Sequence, residues 1–118
     1  MIGTIGLQNL RIDCIVGIYP HERVELQPLF VDIEVKADFD AAASAEHVDE
    51  TVDYDHLAEL LTGLATERQY QLIETFAKEA LDGILGRWAS VQGAQIEIRK
   101  PKAVPAADAS FVRLAATR

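Results

Sequence analysis

The chain has 118 residues, 49% of them hydrophobic, and a formal net charge of −8. That length supports one core and is too short for two ordinary domains, so residues 1–118 read as a single domain. The acidic balance opposes binding to phosphate backbones, which relies on clustered Lys and Arg, and no apolar run approaches the roughly 18 to 20 residues that cross a bilayer, so neither nucleic acid nor a membrane is an expected partner.

The opening MIGTIGLQNLRID has no basic region followed by an apolar run, which argues against a signal peptide and for a cytoplasmic protein. Residues 4–16 read as a strand whose apolar parity changes near Gln8 and Asn9. Ile5 and Leu7 come first, then Leu10, Ile12, Cys14 and Val16, a switch that a bulge or bend explains. Cys14 is the only cysteine, so no intrachain disulfide can form, and its apolar neighbours suit a small buried side chain. Gly17 to Arg23 follow as a loop marked by Gly and Pro. Residues 29–38 alternate cleanly, with Leu29, Val31, Ile33, Val35 and Ala37 on one face and Phe30, Asp32, Glu34 and Lys36 on the other.

The Ala-rich stretch Ala41 to Ala45 reads as a connection. From Tyr54 to about Glu67, Leu57, Leu60, Leu61, Leu64 and Ala65 recur at the spacing of a one-sided helix, with Asp53 as its N-cap. A second helix repeats the pattern from Ile73 through Phe76, Ala80 and Ile84 to Trp88, weakened slightly by Gly83. Near the C-terminus Ala94, Ile96, Ile98 and Lys100 share one strand face, opposite Gln95, Glu97 and Arg99. A lysine ending an apolar series directs its amine toward the core edge. Residues 110–116 form a last short strand. The order ββααββ predicts an α+β domain with a four-stranded antiparallel sheet and both helices packed on one face. The outer face, with Phe30 among charges, is left to meet another subunit.

The three histidines, His21, His47 and His56, have no recognisable zinc spacing, and the glycines form no phosphate-cradling run, so no metal site or nucleotide fold is expected. The basic cluster Arg99, Lys100 and Lys102 is local, as suits a small-molecule site. A polar set remains at element ends: Glu22 in a loop, Tyr54 at a helix start, Glu74 in the first turn of the second helix and Lys100 at a strand end. Such places are where pockets gather. Each residue also has a plainer reading, as a loop charge, a packing residue, a favourable charge on a helix dipole and a solvated strand end.

Four motifs in order, GIYPHERVELQPLFVDIEV, TVDY, QLIETFAKEAL and IRKPKAVPAADASFV, resemble the dihydroneopterin aldolase family over nearly the whole chain. The resemblance implies the tunnelling fold, with subunit sheets joined around a central tunnel as a homotetramer ring or a homo-octamer of two rings. It implies active sites between subunits and no metal or organic cofactor. Carried over by position, Glu74 resembles the anchor for the pterin's amino and ring N–H groups. Ile73, through its backbone amide, and Val52, lining the pocket, are supporting contacts. Glu22 falls where side-chain hydroxyls bind, and Lys100 and Tyr54 fall on proton-transfer groups, Tyr54 from the neighbouring chain. The implied reaction is retro-aldol cleavage of 7,8-dihydroneopterin. Epimerisation at C2′ by the same residues is the nearest alternative, and a non-catalytic pterin-binding module is the alternative of another class.

Overall fold

The computed structural model describes residues 1–118, the Glu50 side chain excepted. Four strands, β1 (Ile2–Cys14), β2 (Gln27–Asp38), β3 (Val91–Lys100) and β4 (Ser110–Thr117), form one antiparallel sheet in the order β1-β2-β3-β4. Between β2 and β3 run α1 (Asp40–Ala45), α2 (Tyr54–Arg68) and α3 (Ile73–Arg87). The predicted α+β arrangement holds, with one addition. The Ala-rich connection folds into the short helix α1, closed by Glu46 in the left-handed region with its N–H on the Ala42 carbonyl. Alanine's high helix propensity accounts for that turn and a half where no apolar stripe announces a helix.

Strand parity decides which side is core. Val31, Ile33 and Val35 of β2 pair with both β1 and β3, Leu29 pairs with β1, and all four are fully buried under α2 and α3. In β1 the register shifts between Leu7 and Leu10, and Asn9 takes a positive φ of 58°, so the bulge expected at Gln8 and Asn9 is present. It keeps Ile5 and Leu7 on the same side as Leu10 and Ile12, because one extra residue reverses the alternation. The strand stops at Cys14, two residues before the expected end. Val16 still reaches the core, while its carbonyl and the Gly17 N–H bond outside the sheet, to Gln27 and Tyr70 respectively.

Helix α2 begins where expected, its first turn capped by Asp53, whose carboxylate accepts the Asp55 N–H at 2.9 Å. Leu57, Leu61 and Ala65 are buried from α2, and Phe76, Ala77, Ala80, Leu81 and Ile84 from α3. Trp88 lies just past α3, its N–H on the Ile84 carbonyl. Helix α2 lies over β1, and α3 over β3 and β4. The opposite sheet face carries no helix. There Arg99 bonds Asp32 at 2.8 Å and Glu97 at 2.6 Å, and Arg113 bonds Glu97. Among the described residues no helix is long and apolar enough to cross a membrane.

Candidate active site

Glu22 sits in a single 3₁₀ turn, Pro20–Arg23, between β1 and β2. A loop charge would face water, yet Glu22 is only 8% exposed. Its Oε2 meets Lys100 Nζ at 2.6 Å and receives the Gln27 amide at 3.0 Å, while Oε1 takes the Tyr19 N–H at 3.3 Å. Burial by itself pushes the Glu22 carboxyl up. Hydrogen bonds from Lys100, Gln27 and the Tyr19 backbone, with the Lys100 charge, outweigh burial and hold it at about 2.

Two further residues make that placement possible. Gly17 has φ of 121°, and a Cβ there would lie 2.2 to 2.4 Å from the Glu22 carboxylate. Only glycine supplies both the backbone conformation and the space. Arg23 donates to the carbonyls of Gly17 at 3.0 Å, Tyr70 at 3.2 Å and Gln69 at 2.9 Å. Its fork thereby ties the turn bearing Glu22 to the α2–α3 connection, just ahead of Glu74.

Lys100 ends β3 opposite Ser110, its side chain only 13% exposed and on the helix side of the sheet, as its parity requires. The basic cluster expected around it is divided. Arg99, one residue back, points to the other face and is consumed by Asp32 and Glu97, because neighbouring strand residues cannot share a side. Lys102 lines a smaller cleft with His21, Glu25 and Gln27 on the far side of Glu22.

A cleft of about 310 Å³ opens between β3, β4 and the start of α3. Glu22 and Lys100 stand in its wall together with Ile73 and Glu74, the first two residues of α3. Leu72, the residue before α3, offers no capping side chain; its carbonyl takes the Thr75 N–H at 3.2 Å, and the Ile73 and Glu74 amides ahead of it are left uncapped. A carboxylate beside free backbone N–H groups can meet the donor and acceptor edge of a planar heterocycle. The Lys100 and Glu22 pair adds an ammonium and a carboxylate in direct contact beside it.

Tyr54 and Val52 are elsewhere in the chain. Tyr54, half exposed at the start of α2, lines a second cleft of about 380 Å³ with Ile5, His47, Val48 and Thr51. Val52 borders the same cleft and is fully buried. Ile5 pairs with Val35, whereas Lys100 is level with Leu29, six residues along β2. Six extended residues span about 20 Å. One chain therefore does not bring Tyr54 to Lys100.

The sequence reading missed Gly17, Arg23 and Gln27. Gln27 had a legible signal. It lies on the same parity as Leu29 and Val31, a polar residue closing an apolar series as Lys100 does.

Comparison with known proteins shows the family and the fold. Residues 5–115 match the family model FolB, dihydroneopterin aldolase. A dihydroneopterin aldolase of Methylorubrum extorquens is 32% identical over 90% of this chain and 82% of its own. A structure from Vibrio cholerae described under the same family name superposes with a TM-score of 0.92 at 27% identity, covering 98% of both chains. The Escherichia coli dihydroneopterin aldolase, solved in complex with neopterin, gives 0.91 at 25% identity over 97% of this chain and 98% of the other.

Proposed function

Because the chain belongs to the dihydroneopterin aldolase family, we propose that it acts as a carbon–carbon lyase on 7,8-dihydroneopterin, releasing 6-hydroxymethyl-7,8-dihydropterin and glycolaldehyde in folate biosynthesis. The observation that carries the reading is the buried Lys100–Glu22 pair at one side of a cleft that also holds Glu74.

In this reading Glu74 accepts the pterin's 2-amino and ring N–H groups through both carboxylate oxygens, and the Ile73 backbone amide adds a donor. Glu22, ionised, orients the side-chain hydroxyls and assists removal of the 2′-hydroxyl proton. As the C1′–C2′ bond breaks, C2′ becomes the carbonyl carbon of glycolaldehyde. The bond's electron pair passes through C6 to N5 of the pterin, which is the electron sink, so no protein imine is needed. Lys100 manages the proton at N5, and protonation at C1′ through Tyr54 completes the hydroxymethyl product. Acid–base help of this kind is typically worth about 10² to 10⁴ in rate.

Tyr54 enters from a second subunit. Exposed apolar side chains gather at the two clefts: Ile18, Tyr19, Leu72 and Phe111 at one, Val48 and Tyr54 at the other. Such patches favour burial against another chain. The sheet also has free outer edges on β1 and β4. A neighbour's β1, antiparallel to β4 and staggered along it, brings the Tyr54 cleft of one chain to the Lys100 cleft of the next. Repetition closes a ring, as a tetramer or two stacked tetramers, whose bare inner face carries the Asp32, Glu97, Arg99 and Arg113 network. We read the enzyme as cytoplasmic, consistent with its single buried free cysteine.

Incubation with 7,8-dihydroneopterin, resolved by chromatography, tests the reaction. Equal amounts of glycolaldehyde and the hydroxymethyl pterin are expected. A C2′ diastereomer without glycolaldehyde identifies an epimerase, and bound pterin without turnover identifies a binding module. Either outcome overturns the proposal.

A further inference from the structure

Gln27 opens β2 with its side chain on the helix face and is 8% exposed. Its amide nitrogen donates to the Val16 carbonyl at 2.8 Å and to Glu22 Oε2 at 3.0 Å. Both partners are acceptors, so the NH₂ end of the amide must face them. Oε2 of Glu22 thus holds two close donors, Gln27 and Lys100. Oε1 has one long contact, from the Tyr19 N–H at 3.3 Å, and keeps acceptor capacity.

We propose that Gln27 is a positioning residue that pins the Glu22 carboxylate, keeping Oε2 on Lys100 and leaving Oε1 as the oxygen that receives the substrate's side-chain hydroxyl. The inference rests on the reading above that Glu22 meets those hydroxyls. The terminal torsion of a glutamate is broad, so a carboxylate held only by Lys100 and the long Tyr19 contact can turn its plane away from the direction that sets one oxygen on Lys100 and leaves the other open. The Gln27 amide is anchored at its other hydrogen by the Val16 carbonyl, which fixes the direction of the donor. Being neutral, it favours the carboxylate without adding a second cation that competes with Lys100 for protons and substrate.

Several charged or titratable groups surround Glu22: Lys100 at the end of β3, His21 and Arg23 on its own turn, Glu25 just after it, Lys102 in the β3–β4 loop and Glu74 across the cleft on α3. Among the described side chains, Lys100 and Gln27 are the two that bond the carboxylate. Gln27→Met removes the donor at nearly constant volume. Gln27→Glu sets a second carboxyl against Oε2, and two carboxyls at hydrogen-bond distance titrate as a pair with one midpoint raised.

The test uses the full assembled protein and two readouts. The first is a carbon-13 NMR titration of side-chain carboxyls, with Glu22 assigned from the Glu22→Gln spectrum. The second is the pH profile of kcat and KM for glycolaldehyde release from 7,8-dihydroneopterin. Gln27→Met should raise the Glu22 midpoint by about one pH unit and lower kcat about 10- to 100-fold, with KM within about threefold. Gln27→Glu should move the acid limb of the profile further up, and Gln27→Asn, whose shorter amide cannot span both partners, should behave like the Met variant. An unmoved Glu22 midpoint in the folded variants overturns the role of Gln27. The titration needs no turnover, so a wild-type protein that fails to release glycolaldehyde refutes the functional reading while Gln27 is still decided.

Discussion

The ammonium of Lys100 and the carboxylate of Glu22 meet at 2.6 Å although one ends β3 and the other lies in the turn between β1 and β2. Both side chains are largely withdrawn from water, so removing one partner strands the other. Lys100→Ala should lower kcat for glycolaldehyde release by about 10² to 10⁴ and destabilise the fold by about 3 kcal/mol. Neopterin affinity, which the proposed function assigns to Glu74, should change far less. Turnover near the wild-type rate, measured by glycolaldehyde trapping, removes Lys100 from the mechanism.

The same pair sets an acid limit on stability. Glu22 is held at about 2, below its ordinary 4.5, so the unfolded chain takes up this proton first as pH falls. Its contribution is therefore fully present above about pH 4.5 and is lost between 4.5 and 2. Asp32, bonded by Arg99, and Glu97, bonded by Arg99 and Arg113, are also held below the usual carboxylate range and add to the trend. Thermal melts should be nearly flat from pH 7 to 5 and fall below 4.5. Glu22→Gln should reduce the slope, and an unchanged slope contradicts the assignment.

Gly17 admits no side chain. Gly17→Ala places a methyl on the Glu22 carboxylate and an L-residue at φ of 121°. A loss of about 1 to 3 kcal/mol in denaturant unfolding is expected from the backbone alone, with kcat falling as Glu22 is displaced. Stability and kcat both within error of wild type would show that the turn relaxes.

Arg23 holds three carbonyls across two loops. Arg23→Lys cannot reproduce the fork, and about 2 kcal/mol of stability should be lost. Because the fork joins the Glu22 turn to the segment leading into Glu74, KM for the pterin should rise as well. A stability loss with unchanged KM would make the tie purely structural.

Much of this was legible in alternation. Lys100 closes an apolar series, and its amine is on the core side. The parity switch at Gln8 and Asn9 is a bulge with a positive φ. Alternation failed where backbone turns decide placement. Glu22 looked like a loop charge because a 3₁₀ turn leaves no periodic trace, and its burial depends on the room left at Gly17. Arg99 and Lys100 looked like one cluster because they are adjacent, although adjacency in a strand separates them. Tyr54 is opaque for another reason: its distance from Lys100 is a property of the sheet's length, which no local pattern around either residue records.

The shared site can be tested by mixing two inactive variants, Tyr54→Ala and Lys100→Ala, after dissociation and reassembly. Random assembly leaves about one quarter of the sites with an intact Tyr54 from one chain and an intact Lys100 from its neighbour. Glycolaldehyde release from 7,8-dihydroneopterin should therefore return to about a quarter of the wild-type rate. Mixed oligomers that form and bind neopterin yet recover no activity would contradict a pterin aldolase site completed by two chains.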